Sequence, residues 1–435
     1  MEPQRPSRRQ YLALGAILAL ALVLRLAHWW AVRHQPFFAW LAMDSQEYDR
    51  WAQEIAGGDW LGSQVFFQAP LYPYLLAVLY KLFGRNLDAV YLFQIVLAVA
   101  GCYALYRAGR EMAGEGVGLG AALLAALYGP FLFYDAQLLK ESPAVAVTSF
   151  LLWALAAARA RPGTGRWLGA GALLGILALL RENALLLVPF LLPLAWAREG
   201  RAPVFLRRSG AFVAGLALVL LPVAVRNGLV GGNFLPTTSQ GGVNFYIGNN
   251  PQADGIYQPI VPGKQIPALE RREPARLAEQ AMGRRLTAGE VSRYWLGRSL
   301  DWVRREPGAF ARLQVRKLGM FWSWYEWPDA VDYYHVKTLS PVLRLPLLEF
   351  GGAVLLALAG LVLARRRLEA FAPVLLFTLG WMLSTVVFFL FSRYRLPVVP
   401  ALLVLGGVTL ATLADMAEAW RSGNRRQTAW LAAIV

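Results

Sequence analysis

The residue best placed to do chemistry is Asp44, in Met43-Asp44-Ser45-Gln46-Glu47-Tyr48, some ten residues past the first long apolar run. A carboxylate held at a membrane surface beside an aromatic can take a proton from a hydroxyl. Its competing role is to cap a helix over residues 45–57, which Asp does readily. Glu47 and Tyr48 follow as groups able to bind a ligand beside it. In Tyr134 to Glu141, Asp135 and Lys140 either share a mouth with Asp44, Asp135 as a second catalytic acid, or cap the fourth span and reach for the interface. Arg181-Glu182-Asn183 lies between two apolar runs of about fourteen residues, too short to cross alone, so this charged turn either lines a recess or satisfies itself. In Ser392-Arg393-Tyr394-Arg395-Leu396-Pro397, two guanidiniums can hold a phosphate through bidentate hydrogen bonds or simply anchor at the interface. Arg226 is a weaker candidate of the same kind.

These groups need a scaffold, and composition dictates one. Of 435 residues, 57% are hydrophobic and 16% charged, with repeated apolar runs of about 18 to 22 residues. That length crosses a hydrocarbon core of roughly 30 Å. Lipid offers backbone groups no partners, so the runs are expected to be helices. About ten spans are predicted, near residues 11–33, 88–107, 117–134, 143–160, 167–181, 183–197, 210–227, 343–364, 370–391 and 396–414. The first reads as a retained anchor, with Arg25 reaching toward the headgroups at its outer end.

Arginine-rich short connections fall on every second loop: Arg107 and Arg110; Arg159, Arg161 and Arg166; Arg198, Arg201, Arg207 and Arg208; Arg365 to Arg367; Arg421, Arg425 and Arg426. With Arg5, Arg8 and Arg9 before the first span, they predict that both termini are cytoplasmic. The net charge of +16 is then mostly topological, and no nucleic-acid partner is expected. The one cysteine, Cys102, excludes an internal disulfide, and His28, His34 and His335 show no metal-ligand spacing.

Two outward segments exceed simple turns, residues 34–87 and 228–342. They divide the chain into a module over 1–227 with interfacial helices at 34–87, an extracytoplasmic region over 228–342, and final spans over 343–435. Glu47 to Ala56 and residues 71–84 read as interfacial helices. Residues 231–259, dense in Gly, Asn and Pro, read as turns. Residues 273–300 look helical, and 301–327 amphipathic and basic, so this region is expected to lie on the membrane. The loop at 241–255, with Asn244, Tyr246 and Asn249, either covers a bound group or admits a second one, Tyr246 and Tyr257 offering faces for stacking, or is an ordinary exposed connection. Trp322, Trp324 and Trp327 read as membrane anchors. A G-x-G-x-x-A match at Gly116 to Ala121 opens a spanning helix instead of following a strand, so close packing through Gly116 with Gly120, or Gly171 with Gly175, is the expected use. The final TAWLAAIV looks like the start of another span.

In order along nearly the whole chain, these motifs resemble the GT-C superfamily of membrane glycosyltransferases, and within it the bacterial family 39 group, similar to protein mannosyltransferases and aminoarabinose transferases. The resemblance rests on Asp44, Gln68-Ala69-Pro70-Leu71-Tyr72-Pro73, Phe83-Gly84, Asp135 to Glu141, Arg181-Glu182-Asn183, Gly242 to Asn250, and Arg393 to Pro397. It implies an all-α polytopic fold with interfacial helices outside the cytoplasm. It also implies inverting transfer of a sugar from a polyprenyl-phosphate carrier to an extracytoplasmic protein, lipid or polysaccharide, with Asp44 as general base. The expected home is the bacterial inner membrane, with the site on its periplasmic or outer face. Many relatives carry two adjacent acids where this chain has Asp44-Ser45, which weakens any metal or second-acid role there. No cofactor is expected to be required. A phosphate leaving group is already a stable anion and needs positive charge in place of a second acid, which Lys140, Arg393 and Arg395 would supply. The rivals are a lipid or glycan transporter, with ionisable groups near mid-bilayer, and a membrane scaffold with no shared cavity.

Overall fold

The computed structural model describes residues 7–196, 200, 202–264 and 266–422. The expectations at Arg5, Arg198, Arg201, Arg425, Arg426 and the closing TAWLAAIV lie outside the described residues. The chain folds as α1 (Arg8–Val32), α2 (Met43–Ala56), α3 (Leu71–Phe83), α4 (Leu87–Ala113), α5 (Glu115–Ala126), α6 (Gly129–Asp135), α7 (Glu141–Ala160), α8 (Thr164–Leu180), α9 (Ala202–Gly231), α10 (Gly241–Gly248), α11 (Pro267–Met282), α12 (Ala288–Arg305), α13 (Pro307–Phe321), α14 (Tyr333–Leu339), α15 (Phe350–Leu363), α16 (Ala372–Val386) and α17 (Val399–Arg421), with short helical turns between them. Among the described residues, six helical segments are long and apolar enough to cross a membrane, and five shorter apolar ones accompany them. The run at 183–197 is not one helix: it breaks into Glu182–Leu187, Val188–Leu191 and Leu192–Ala195. Pro189 and Pro193 each lack the N–H that an uninterrupted ladder needs.

The bundle closes through small residues. A Cβ on Gly171 of α8 would stand 1.8 Å from the Phe212 carbonyl oxygen of α9, and one on Gly215 of α9 would stand 1.9 Å from that of Leu168. Neither position admits a side chain, and the absence of one lets the two backbones touch. Arg25 does not reach the headgroups. It is 2% exposed, and its Nε donates to Asp135 at 2.8 Å inside the bundle. A carboxylate within reach offers the guanidinium more than a strained route to the surface does.

The interfacial helices are pinned by buried polar pairs. Asp49 on α2 accepts from the Tyr80 hydroxyl at 2.7 Å and from Arg85 at 2.9 Å, fixing α2 against α3. Gln94 of α4 accepts from the Tyr72 hydroxyl at 2.7 Å and donates to the carbonyls of Asp135 and Gln137, holding the turn after α6. The segment expected to be all turns contains α10, and α10, α11 and α12 share a small core with Phe389, built on Val243, Ile247, Ala278, Val291 and Trp295. This region therefore has apolar packing of its own. Gly248 makes the junction possible: a Cβ there would lie 2.2 Å from the Phe388 carbonyl oxygen.

Candidate active site

Asp44 sits in the first turn of α2, but the cap position is Ala42 and no side chain caps the helix. The Asp44 carboxylate is turned elsewhere. Its Oδ2 accepts from Arg393 Nη1 at 2.7 Å, and its Oδ1 accepts from Gln68 Nε2 at 3.1 Å. Met43, just before it, holds a left-handed backbone with φ of 53°, which costs a side-chain-bearing residue about 1–3 kcal/mol and is repaid by its surroundings.

The other ends of these contacts build a network. Arg393 Nη2 pairs with Asp329 at 2.8 Å, and its Nη1 lies 3.9 Å from Glu141. Glu141, wholly buried at the start of α7, is the partner of Arg181, whose guanidinium stands over the Tyr394 ring at 4.7 Å. Arg181 thus pairs across the bundle and not with its neighbour Glu182. Glu182 instead accepts from Gln240 at 2.7 Å and lies 3.9 Å from Lys140. Three apolar elements end here, at Lys140, Arg181 and Arg393, so their cations converge.

The space they enclose is a cavity of about 580 Å³ lined by Asp44, Tyr48, Gln68, Lys140, Arg181, Glu182, Asn244, Glu270, Asp329 and Arg393, among others. Burial would push the Asp44 carboxyl up, but Arg393 and Lys140 beside it, with hydrogen bonds from Arg393 and Gln68, hold it below its ordinary value. Glu270 behaves oppositely. Burial raises it, the nearby Asp44 charge adds to that, and the hydrogen bond from Tyr257 only partly offsets them, so it titrates at about 7. Asp329 is also raised, chiefly by burial, against the pull of Arg393.

Of the residues singled out from sequence, Asp44, Tyr48, Lys140, Arg181, Asn244 and Arg393 line this cavity. Asp135 does not. Its carboxylate is buried between Arg25 and the Ser142 hydroxyl, which donates at 2.6 Å. Arg395 turns away to the carbonyls of Phe321, Ser323 and Tyr325 and to Glu326 at 3.2 Å. Asn249 is fully buried, accepting from Lys317 at 3.0 Å, and Tyr246 packs on Trp295 with centroids 4.6 Å apart. Glu47 pairs with Arg50 at 2.5 Å, and Arg226 binds the carbonyls of Leu61 and Gln64; both border a neighbouring groove. Sequence reasoning passed over Gln68 as a contact, and Asp329 and Glu270 altogether. Pro328-Asp329, directly after the aromatic cluster, was the available signal for one of them. Among the described residues, no group of three or more His, Cys, Asp or Glu side chains is arranged to hold a metal ion.

Residues 68–226, less than half of the chain, match the family described as dolichyl-phosphate-mannose-protein mannosyltransferase. No curated protein is similar enough in sequence to match. Among solved structures, the Archaeoglobus fulgidus oligosaccharyltransferase AglB in complex with an inhibitory peptide and a dolichol-phosphate is 14% identical with a TM-score of 0.54, over 98% of this chain and 54% of that one. The apo form of that enzyme is 14% identical with a TM-score of 0.53, over 97% and 54%. ArnT from Cupriavidus metallidurans bound to undecaprenyl phosphate is 15% identical with a TM-score of 0.42, over 94% and 79%. The chain spans about half the length of the oligosaccharyltransferase. The chain thus shares its fold with that oligosaccharyltransferase, and residues 68–226 carry the match to the mannosyltransferase family.

Proposed function

We propose that the protein transfers a sugar from a polyprenyl-phosphate carrier to an acceptor hydroxyl outside the cytoplasm, with inversion and with Asp44 as general base. The observation that carries this reading is the meeting of Asp44 with Lys140, Arg181 and Arg393 in one cavity at the end of a lipid-embedded bundle. Asp44 takes the acceptor proton as the acceptor attacks the anomeric carbon. The bond from that carbon to the carrier phosphate breaks, and the phosphate leaves as an anion toward the cations. The depressed Asp44 carboxyl stays ionised through neutral pH, so the base is ready without a prior proton loss. The family matched by residues 68–226 is named for a dolichyl-phosphate sugar donor, and the similar AglB was solved with a dolichol-phosphate. Both agree with a carrier whose tail stays in lipid while its phosphate reaches the cavity.

The arginine-rich loops support cytoplasmic termini and a site on the periplasmic or outer face of a bacterial inner membrane. Incubation of the purified protein with a panel of polyprenyl-phosphate sugars, products read by mass spectrometry, tests the reading. Transfer by the native chain and loss by about 10²- to 10⁴-fold in Asp44→Asn is expected. Undiminished transfer by Asp44→Asn removes the base assignment. Movement of labelled lipid across vesicles with no new glycosidic bond points to a transporter instead.

A further inference from the structure

A second and larger space adjoins the cavity. It is a groove of about 1340 Å³ between α2, the loop after it and the helices α11 and α12. Gln68 and Pro267 line both spaces. Gln68 is the amide that holds Asp44 Oδ1, and its own Oε1 is buried with no partner. Asp44 therefore stands one side chain away from the groove, with an unused acceptor atom at the boundary. Lys140, Arg181 and Arg393, the cations gathered around Asp44, line the cavity and not the groove. In an inverting displacement the nucleophile arrives opposite the leaving group, so the groove is the approach left to the acceptor.

The charges in the groove are not all satisfied. Arg50 is paired with Glu47 and Glu54, Arg276 with Glu273, and Arg284 with Glu290. Arg271 and Arg272, adjacent on α11 and exposed, form no ion pair among the described residues. Beside them Trp51 lines the groove, its ring 5.5 Å from that of Phe66. Guanidinium forks match carboxylates, and an indole face suits a sugar ring. No β-ladder is present among the described residues to offer a peptide backbone an edge.

Resting on the proposed transfer reaction, we propose that this groove receives the acceptor and that the acceptor is an acidic glycan, its ring against Trp51 and its carboxylates on Arg271 and Arg272. The test uses purified protein in nanodiscs and three fluorescein-labelled probes: an oligogalacturonate hexamer, maltohexaose and an oligoglutamate peptide. Binding of decaprenyl phosphate is measured in parallel. The oligogalacturonate should bind at least about tenfold more tightly than the other two, and the double variant Arg271→Glu, Arg272→Glu should weaken it by about tenfold or more. Both arginines are exposed, so the variant should keep its thermal transition and its decaprenyl phosphate affinity. Equal binding of the neutral hexamer, absent binding of the acidic one, or indifference to the double variant overturns the proposal. Tighter binding of the oligoglutamate overturns the glycan assignment in favour of a peptide. Failure of decaprenyl phosphate alone to bind counts against the transfer reading and leaves the groove standing.

Discussion

Arg393 holds Asp44 with one guanidinium nitrogen at 2.7 Å and Asp329 with the other at 2.8 Å. One side chain near the last helix thus fixes a carboxylate that the chain laid down 349 residues earlier. Replacing it with Gln removes the largest opposing charge from Asp44. The acid limb of the pH–rate profile should then move to higher pH, because a carboxyl no longer held down protonates sooner. Donor affinity should fall in the same variant, read from the dependence of rate on donor concentration. An unmoved acid limb would show that Asp44 does not govern it.

Asp135 gives a contrasting expectation. Its partners are Arg25 and Ser142, away from the cavity. Asp135→Leu leaves Arg25 charged and unpaired in the bundle, costing about 3–5 kcal/mol, whereas Arg25→Leu with Asp135→Leu should recover most of that loss. Thermal unfolding in detergent measures both. Transfer by the double variant at near-native rate would confirm a supporting role, and a dead but fully stable double variant would return Asp135 to the chemistry.

Glu270 provides a pH signature. Its folded value of about 7 lies above the ordinary carboxylate range, so between those values the folded chain holds a proton that the unfolded chain has lost. Stability should therefore decline as pH rises from about 4.5 to 7 and then level off. Comparing melting temperatures of the native chain and Glu270→Gln across this window checks the sign. The variant should lack that share of the decline.

Gly248→Ala should destabilise by about 1–3 kcal/mol, because the new methyl meets the Phe388 backbone and not a side chain that can move. Gly297→Ala, on a helix with nothing within 4 Å, should be neutral or mildly stabilising. Melting curves of the pair separate close approach from general glycine loss.

The sequence made some of this legible and hid the rest for physical reasons. Long apolar runs and arginine-bearing ends announce a helical bundle, because lipid leaves few alternatives. The short runs flanking Arg181 left open a recess or a self-satisfied turn, and only the folded chain shows Arg181 paired with Glu141 beside the cavity. Arg25 misled, because periodicity does not say which neighbour faces a helix, and Asp135 lies 110 residues away. The helix at 241–248 was hidden by its glycines, whose weak local preference yields to packing against Ser292 and Phe388. Asp329 and Glu270 are ordinary acids in polar stretches, and only the folded chain brings them opposite Arg393 and Asp44.

The pairing of Arg393 with two carboxylates means that its positive charge is already spoken for before any lipid arrives. Four acids face three bases around the cavity, so an incoming anionic headgroup meets a neutral-to-negative surface. Entry then favours uptake of a proton from water, and the two acids poised to accept it are Asp329 and Glu270, both already biased toward their neutral forms. Under the proposed reading, affinity for the anionic carrier should therefore rise as the pH falls through about 7, where Glu270 takes up its proton.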